Sequence, residues 1–280
     1  MQLGITMFTT DLAIGPAELA RAAEARGFRS LYVPEHTHIP VSRRTPPPTG
    51  DAELAEEYRR TLDPFVALTA AAAVTEQLRI GTGICLVAQR DPIVTAKEVA
   101  SLDLVSGGRF VFGIGFGWNE DEMGHHGVAL ADRREVTRER TLAMQRLWAD
   151  DEASFAGEHV QFEPSWSWPK PVQRPWPPVL LGGAGGPLLF RHIAEYGDGW
   201  IPIGGGGVRS QLPVLQRLFE EAGRDPATIR IVPFGTIPDP GKLEYYASLG
   251  IDEVVLRLPS RGADDVLRRL DEYARLIEEV

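Results

Sequence analysis

Apolar runs of strand length alternate along this chain with stretches whose apolar residues recur at helical spacing. Residues 3–8 predict a first strand and residues 16–26 a helix, with Pro16 in its first turn and Gly27 as its stop. Residues 30–33 predict the second strand. After a long connection, Asp63 and Pro64 form an N-cap and first-turn pair that opens a helix to about Val74, and Asp91 and Pro92 repeat the device for a helix ending at Gly107. Residues 80–86 and 110–114 predict strands three and four. A helix over residues 132–148 carries Val136, Arg140, Ala143 and Leu147 on one face. Residues 179–181, 199–203, 229–234 and 253–258 predict four further strands, with helices over 187–196, 210–222, 241–249 and 263–279. The last of these carries Val266, Leu270, Tyr273 and Ile277 on one stripe.

Eight strands alternating with helices demand a parallel sheet covered by helices, and eight units close on themselves more naturally than they extend. The fold class read from the pattern is therefore α/β, a (β/α)8 TIM barrel, in a single domain over residues 1–280. The competing doubly wound sheet expects a G-x-G-x-x-G turn after the first strand, and residues 7–14 contain none. Two segments exceed ordinary connections: residues 37–61 after the second strand, with Pro46, Pro47 and Pro48, and residues 150–178 before the fifth, rich in tryptophan and proline. Such lengths suit lids, binding walls or disorder.

Composition narrows the function classes. With 29 basic against 39 acidic residues the formal charge is -10, which disfavours nucleic acid. No stretch has the apolar length of a membrane span, and no signal-like N-terminus is present, so the expectation is a cytoplasmic protein. Cys85 is the only cysteine, which leaves no internal disulfide and no cysteine metal site.

In such barrels chemistry sits at the C-terminal ends of the strands. The residues there are oddly rich in glycine: Thr9 and Thr10, Glu35 and His36, Gly83 and Ile84, Gly115 to Asn119, Gly182 to Gly186, Gly204 to Gly207, Thr236 and Arg257. A mouth lined by backbone suits a large flat ligand, and free N–H groups ahead of a helix make a nest for phosphate.

The wording of these segments resembles the luciferase-like oxidoreductases over almost the whole chain, and its F420-dependent (deazaflavin) branch most closely. The carriers are residues 27–36 (GFRSLYVPEH), residues 81–84 (GTGI), residues 115–122 (GFGWNEDE), residues 182–187 (GGAGGP) and residues 196–200 (YGDGW). The resemblance implies an oxidoreductase that transfers hydride between F420 and a small organic substrate, with an FMN-dependent monooxygenase as the alternative. It implies His36 and Glu35 as the catalytic pair beside the ring, with Glu35 where several relatives carry aspartate. It implies Thr82, Gly83 and Ile84 behind the ring, with a cis bond between Gly83 and Ile84. It implies Trp118 and Asn119 along the cavity, and Gly182, Gly183, Ala184, Gly185 and Gly186 around the cofactor phosphate. Trp118 is a departure, because some deazaflavin dehydrogenases carry a catalytic glutamate there, and this speaks against their sugar-phosphate chemistry. The resemblance also implies a homodimer.

Read from the residues alone, blander accounts stay open. His36 suits a strand-end histidine fixed by hydrogen bonds, Gly83 a close approach of neighbouring strands, and the glycines after residue 181 a tight strand-to-helix turn. Asn119 suits the cap of a short helix whose dipole Glu120 to Glu122 favour. Arg43, Arg44, Arg59 and Arg60 can attract an acidic cofactor tail or remain solvated. His36 and His38 form the H-x-H pair of metal-dependent barrel hydrolases, but the remaining histidines do not fall at strand ends, so no metal is expected. A Schiff-base aldolase needs a lysine inside the barrel, and Lys97, Lys170 and Lys242 read as helix or loop. A non-catalytic cofactor-binding protein on the same barrel also stays open.

Overall fold

The Asp-Pro pairs do what their chemistry dictates. In the computed structural model, which describes residues 1–46 and 53–278, the carboxylates of Asp63, Asp91 and Asp239 accept hydrogen bonds of 3.0, 2.9 and 2.8 Å from the amides of Val66, Val94 and Lys242. Each is followed by proline in the first helical turn, where a missing N–H costs nothing. Pro47 and Pro48 of the proline run and Glu279 at the predicted end of the last helix lie outside the described residues.

The elements run β1 (Gln2–Thr6), α1 (Pro16–Ala25), β2 (Ser30–Val33), α2 (Pro64–Ala72), β3 (Arg79–Thr82), α3 (Pro92–Val105), β4 (Phe110–Ile114), α4 (Glu120–His125) and α5 (Arg133–Ala149). They continue with β5 (Ala153–Ala156), β6 (Gln161–Ser165), β7 (Val179–Gly182), α6 (Pro187–Tyr196), β8 (Gly199–Ile201), α7 (Val208–Glu221), β9 (Arg230–Ile231), β10 (Phe234–Thr236), α8 (Pro240–Ala247), β11 (Glu253–Arg257) and α9 (Ala263–Ala274). One sheet runs β10-β11-β1-β2-β3-β4-β7-β8-β9, and its strand pairs are parallel. β9 and β10 are two pieces of one barrel stave, separated by Val232 and Pro233. Val232 N donates to Trp200 O and Phe234 N to Pro202 O, while Val255 N donates to Pro233 O, so the stave bridges β8 and β11 and closes the TIM barrel.

Parallel strands buried on both faces must be apolar on both. Along β4, Phe110, Phe112 and Ile114 join the large cluster between sheet and helices. Val111 joins Tyr32, Leu180, Ile201, Val232, Phe234 and Val255, with Ile84 packed against them, in a second cluster drawn from successive strands. That second cluster is the filled barrel interior, and it makes the lumen a core rather than a pore.

Four expectations need correction. The first strand ends at Thr6 rather than Phe8. The third is continuous only to Thr82 rather than residue 86: Gly83-Ile84 is a cis peptide, Cys85 pairs again with Ile114, and a 3-10 turn follows at Val87–Gln89. The stave expected over residues 229–234 is broken at Pro233, whose nitrogen cannot donate to a ladder. Residues 150–178 are no plain loop: β5 and β6 pair as an antiparallel hairpin outside the barrel. The Glu139 carboxylate on α5 accepts from the amides of Glu158, His159 and Val160, and Lys97 on α3 donates to the Trp168 carbonyl. The tryptophan-rich connection therefore lies along the outer side of α3 and α5, not as a wall of the barrel mouth. No helix among the described residues is long and apolar enough to cross a membrane.

Candidate active site

Beyond Val33, the last residue of β2, the chain carries Glu35 and His36 to different partners. Glu35 faces outward and is buried at 3% exposure. Its carboxylate accepts from Leu86 N at 2.6 Å and from Arg90 Nε at 2.6 Å. Arg90 also binds Asp63 at 2.6 Å and Glu98 at 2.9 Å and lies over the Phe65 ring. Burial works against the Arg90 charge, yet Glu35 and then Asp63 outweigh it, and the guanidinium is held above its ordinary value. Glu35 is thus consumed by a buried ion network and is not brought together with His36.

His36 faces the mouth and meets a partner that the sequence reading did not single out. Its Nδ1 lies 3.0 and 2.9 Å from the two carboxylate oxygens of Glu122, with side chains 6% and 1% exposed. Glu122 reaches it because Asn119 caps α4 and accepts from Glu122 N, setting the first turn of that helix against β2. Thr37 and His38 pin the same helix: Thr37 Oγ1 lies 2.9 Å from His126 Nε2, and His38 Nε2 lies 2.8 Å from His125 Nδ1. The two members of the H-x-H pair therefore point at different partners, and among the described residues no group of three potential ligands has a metal-holding arrangement. Burial first, and then repulsion from His38, pushes the His126 imidazole down.

The connection after β2 folds back over the mouth. Tyr58, in the 3-10 turn Glu56–Arg60, packs 4.7 Å from Phe8, 5.3 Å from His36 and 6.3 Å from Trp118, and Trp118 meets His36 edge-on at 5.9 Å. Ion pairs tie the connection down: Arg60 to Asp11, Glu57 to Arg257, and Arg44 to Asp121 and Glu120. Arg44, Arg59 and Arg60 are thereby paired within the protein.

Behind His36 lies the cis peptide Gly83-Ile84 that the resemblance implied. Thr82 stays in the sheet, its hydroxyl donating to Gly113 O at 2.6 Å, so its side chain is not turned to a ligand. A Cβ on Gly83 would stand 2.2 Å from the Phe234 ring. The Ile84 side chain fills a slot that exists only because its neighbours are glycine: a Cβ on Gly115 would meet it at 1.9 Å and one on Gly182 at 2.8 Å. Two buried side-chain atoms at this mouth, Thr9 Oγ1 and Asn119 Nδ2, have no hydrogen-bond partner.

Gly182, Gly183, Ala184, Gly185 and Gly186 lead from β7 into α6. Gly183 takes φ +148, and its carbonyl accepts from Trp200 Nε1 at 2.8 Å, which anchors the turn. A Cβ on Gly185 would lie 2.9 Å from the same indole. The first amides of a helix have no intrahelical acceptor, so this turn presents free donors at the positive end of α6. Asn119 Nδ2 and Thr9 Oγ1, the backbone surface at Gly83 and Ile84, and the amides ahead of α6 are the groups at this end of the barrel that could hold a flat anionic cofactor.

The family model described as luciferase-like monooxygenase matches residues 16–237. A protein of Mycobacterium tuberculosis is 47% identical over 277 residues, covering 98% of each chain. An F420-dependent secondary alcohol dehydrogenase in complex with an F420-acetone adduct has the same fold, with a TM-score of 0.78 at 19% identity over 99% of both chains. The oxygenating constituent of 3,6-diketocamphane monooxygenase from Pseudomonas putida, in complex with FMN, gives a TM-score of 0.64 at 17% identity over 89% of this chain and 71% of that one. The family match over most of the barrel, with 47% identity along nearly the entire chain, makes this protein a member of the luciferase-like monooxygenase family, whose members are oxidoreductases.

Proposed function

We propose that the protein is an F420-dependent oxidoreductase that moves hydride to or from a small carbonyl or alcohol substrate. The observation that carries this reading is the buried His36–Glu122 pair beside the Gly83-Ile84 bulge. Likeness in fold to an F420-dependent alcohol dehydrogenase of the same extent supports it. When bound, a deazaflavin supplies a two-electron hydride acceptor or donor.

The remaining work falls to the chain's own residues. Gly83 and Ile84 would back the ring, Thr9 Oγ1 and Asn119 Nδ2 would offer it polar contacts, and the amides of residues 184–186 with the α6 terminus would hold the phosphate, the Gly183 amide being spent on Ile201 O. Glu122 occupies His36 Nδ1, which fixes the ring and leaves Nε2 as the nitrogen that exchanges a proton. As a substrate carbonyl carbon gains hydride, imidazolium at Nε2 gives its oxygen the proton, and in the reverse direction imidazole takes it from the hydroxyl. Glu122 holds the ring in place in both. Glu35 acts at one remove, holding the end of β2 through Leu86 and Arg90. Tyr58 and Trp118 close over this ground and exclude water.

Calorimetric titration of the purified protein with F420 and with FMN tests the reading. Binding of F420 at about micromolar Kd supports it; binding of FMN alone turns the assignment to a monooxygenase, the second reading that the shared fold allows.

A further inference from the structure

Among the described residues, Arg134 is a half-buried cation with no hydrogen bond or ion pair. It stands in the first turn of α5 with its guanidinium 4.5 Å above the Phe116 ring. Phe116 lies 5.3 Å from His192, which lies 5.7 Å from Tyr196. The two carboxylates nearby, Glu135 and Glu195, are both bound by Arg138. Arg134 Nη1 and the Tyr196 hydroxyl are buried without partners. Burial, and then repulsion from Arg134, pushes the His192 imidazole down. Donors gathered with no acceptor are the inner lining of a site for an anion.

The place of this cluster says which anion. Ile114 pairs with Leu181 across β4 and β7, so Phe116, two residues past β4, leaves the sheet at the same end as the glycine-rich turn that follows β7. His192 belongs to α6, whose N-terminus ends that turn. The cluster therefore borders the phosphate turn. FMN ends at its phosphate, whereas F420 continues past it into a chain bearing carboxylates. Of the four arginines of the first long connection, Arg44, Arg59 and Arg60 are spent on Asp121, Glu120, Glu56 and Asp11, while Arg43 keeps a buried Nε without a partner.

We propose that Arg134, backed by His192 and the Tyr196 hydroxyl, forms an anion subsite for a carboxylate of the cofactor tail beyond its phosphate. The subsite rests on the F420 reading above and deepens it, because it makes the tail itself a determinant of cofactor choice.

The test is fluorescence titration of the full chain with F420 carrying its carboxylate tail, with the truncated deazaflavin that ends at the phosphate, and with FMN. Wild type, Arg134→Gln and Arg134→Lys are compared, with circular dichroism confirming the fold of each. The tailed cofactor is expected to bind about tenfold more tightly than the truncated one in the wild type, the weight of one charge-assisted hydrogen bond. Arg134→Gln brings that ratio to about one, and Arg134→Lys restores part of it. A wild-type ratio near one overturns the subsite and leaves the deazaflavin assignment standing, as does a ratio that survives in Arg134→Gln. Failure of both deazaflavins to bind overturns both. If Arg134→Gln fails to fold, the wild-type ratio and the lysine variant decide.

Discussion

Replacing Glu122 by glutamine removes one charge from the centre of the proposed site and little else. The carboxylate spans His36 Nδ1 at 2.9 and 3.0 Å, with the glutamate side chain 1% and the histidine side chain 6% exposed. A hydrogen bond to a charged group contributes about 1.5–3 kcal/mol net, roughly twice a neutral one. The amide oxygen of Glu122→Gln still accepts from Nδ1–H, so orientation survives and the lost part is the charge-assisted share of the hydrogen bond, about 1–1.5 kcal/mol. That corresponds to about a tenfold fall in turnover. Glu122→Ala also frees the ring to rotate, and its loss should reach about a hundredfold. The assay is single-turnover hydride transfer, followed by the absorbance of the deazaflavin at saturating cofactor. Glutamine turnover within about twofold of wild type, or a loss fully accounted for by weaker cofactor binding, would refute the reasoning.

Other predictions follow from single contacts. Gly83→Ala forces a Cβ to within 2.2 Å of the Phe234 ring, so the ring must move, and cofactor affinity measured by calorimetry should fall while the far-UV spectrum stays unchanged. Arg90→Leu strands the buried Glu35 carboxylate and should lower the unfolding free energy in urea by about 3–5 kcal/mol; a change below about 1 kcal/mol would mean that the network is not coupled. His126 and His192 are both pushed down by burial, and then by His38 and Arg134 respectively, so the native chain binds fewer protons than the unfolded one below the ordinary histidine range. Stability is then fully present above about pH 6.5 and falls as pH drops through that value. Thermal unfolding from pH 7.5 to 5.5 checks this, and the double variant His126→Gln, His192→Gln should flatten the slope.

Much of the fold was legible because its signals are local. The Asp-Pro pairs mark helix starts by a carboxylate and a ring that act within one turn, and the alternation of apolar runs implies parallel staves whatever their partners. What stayed hidden depends on distant packing. Glu122 reads as an ordinary first-turn acid of a short helix, and only the docking of α4 on Thr37 and His38 turns it onto His36. Glu35 was hidden for a similar reason: the pairing implied by resemblance set it beside His36, whereas the distant Leu86 amide and Arg90 draw its carboxylate away. The hairpin of β5 and β6 escaped because its strands are short and largely exposed, and its turn is tied down by Glu139 on distant α5. The Gly83-Ile84 isomer came from family wording; no hydrophobic pattern encodes it.

The most direct test of the central claim is a crystal structure of the protein with bound F420. The account predicts the ring against Gly83 and Ile84, within reach of His36, and the phosphate on the amides between Gly183 and α6, those of residues 184–186. A ring bound elsewhere, or a phosphate held away from that turn, would contradict it.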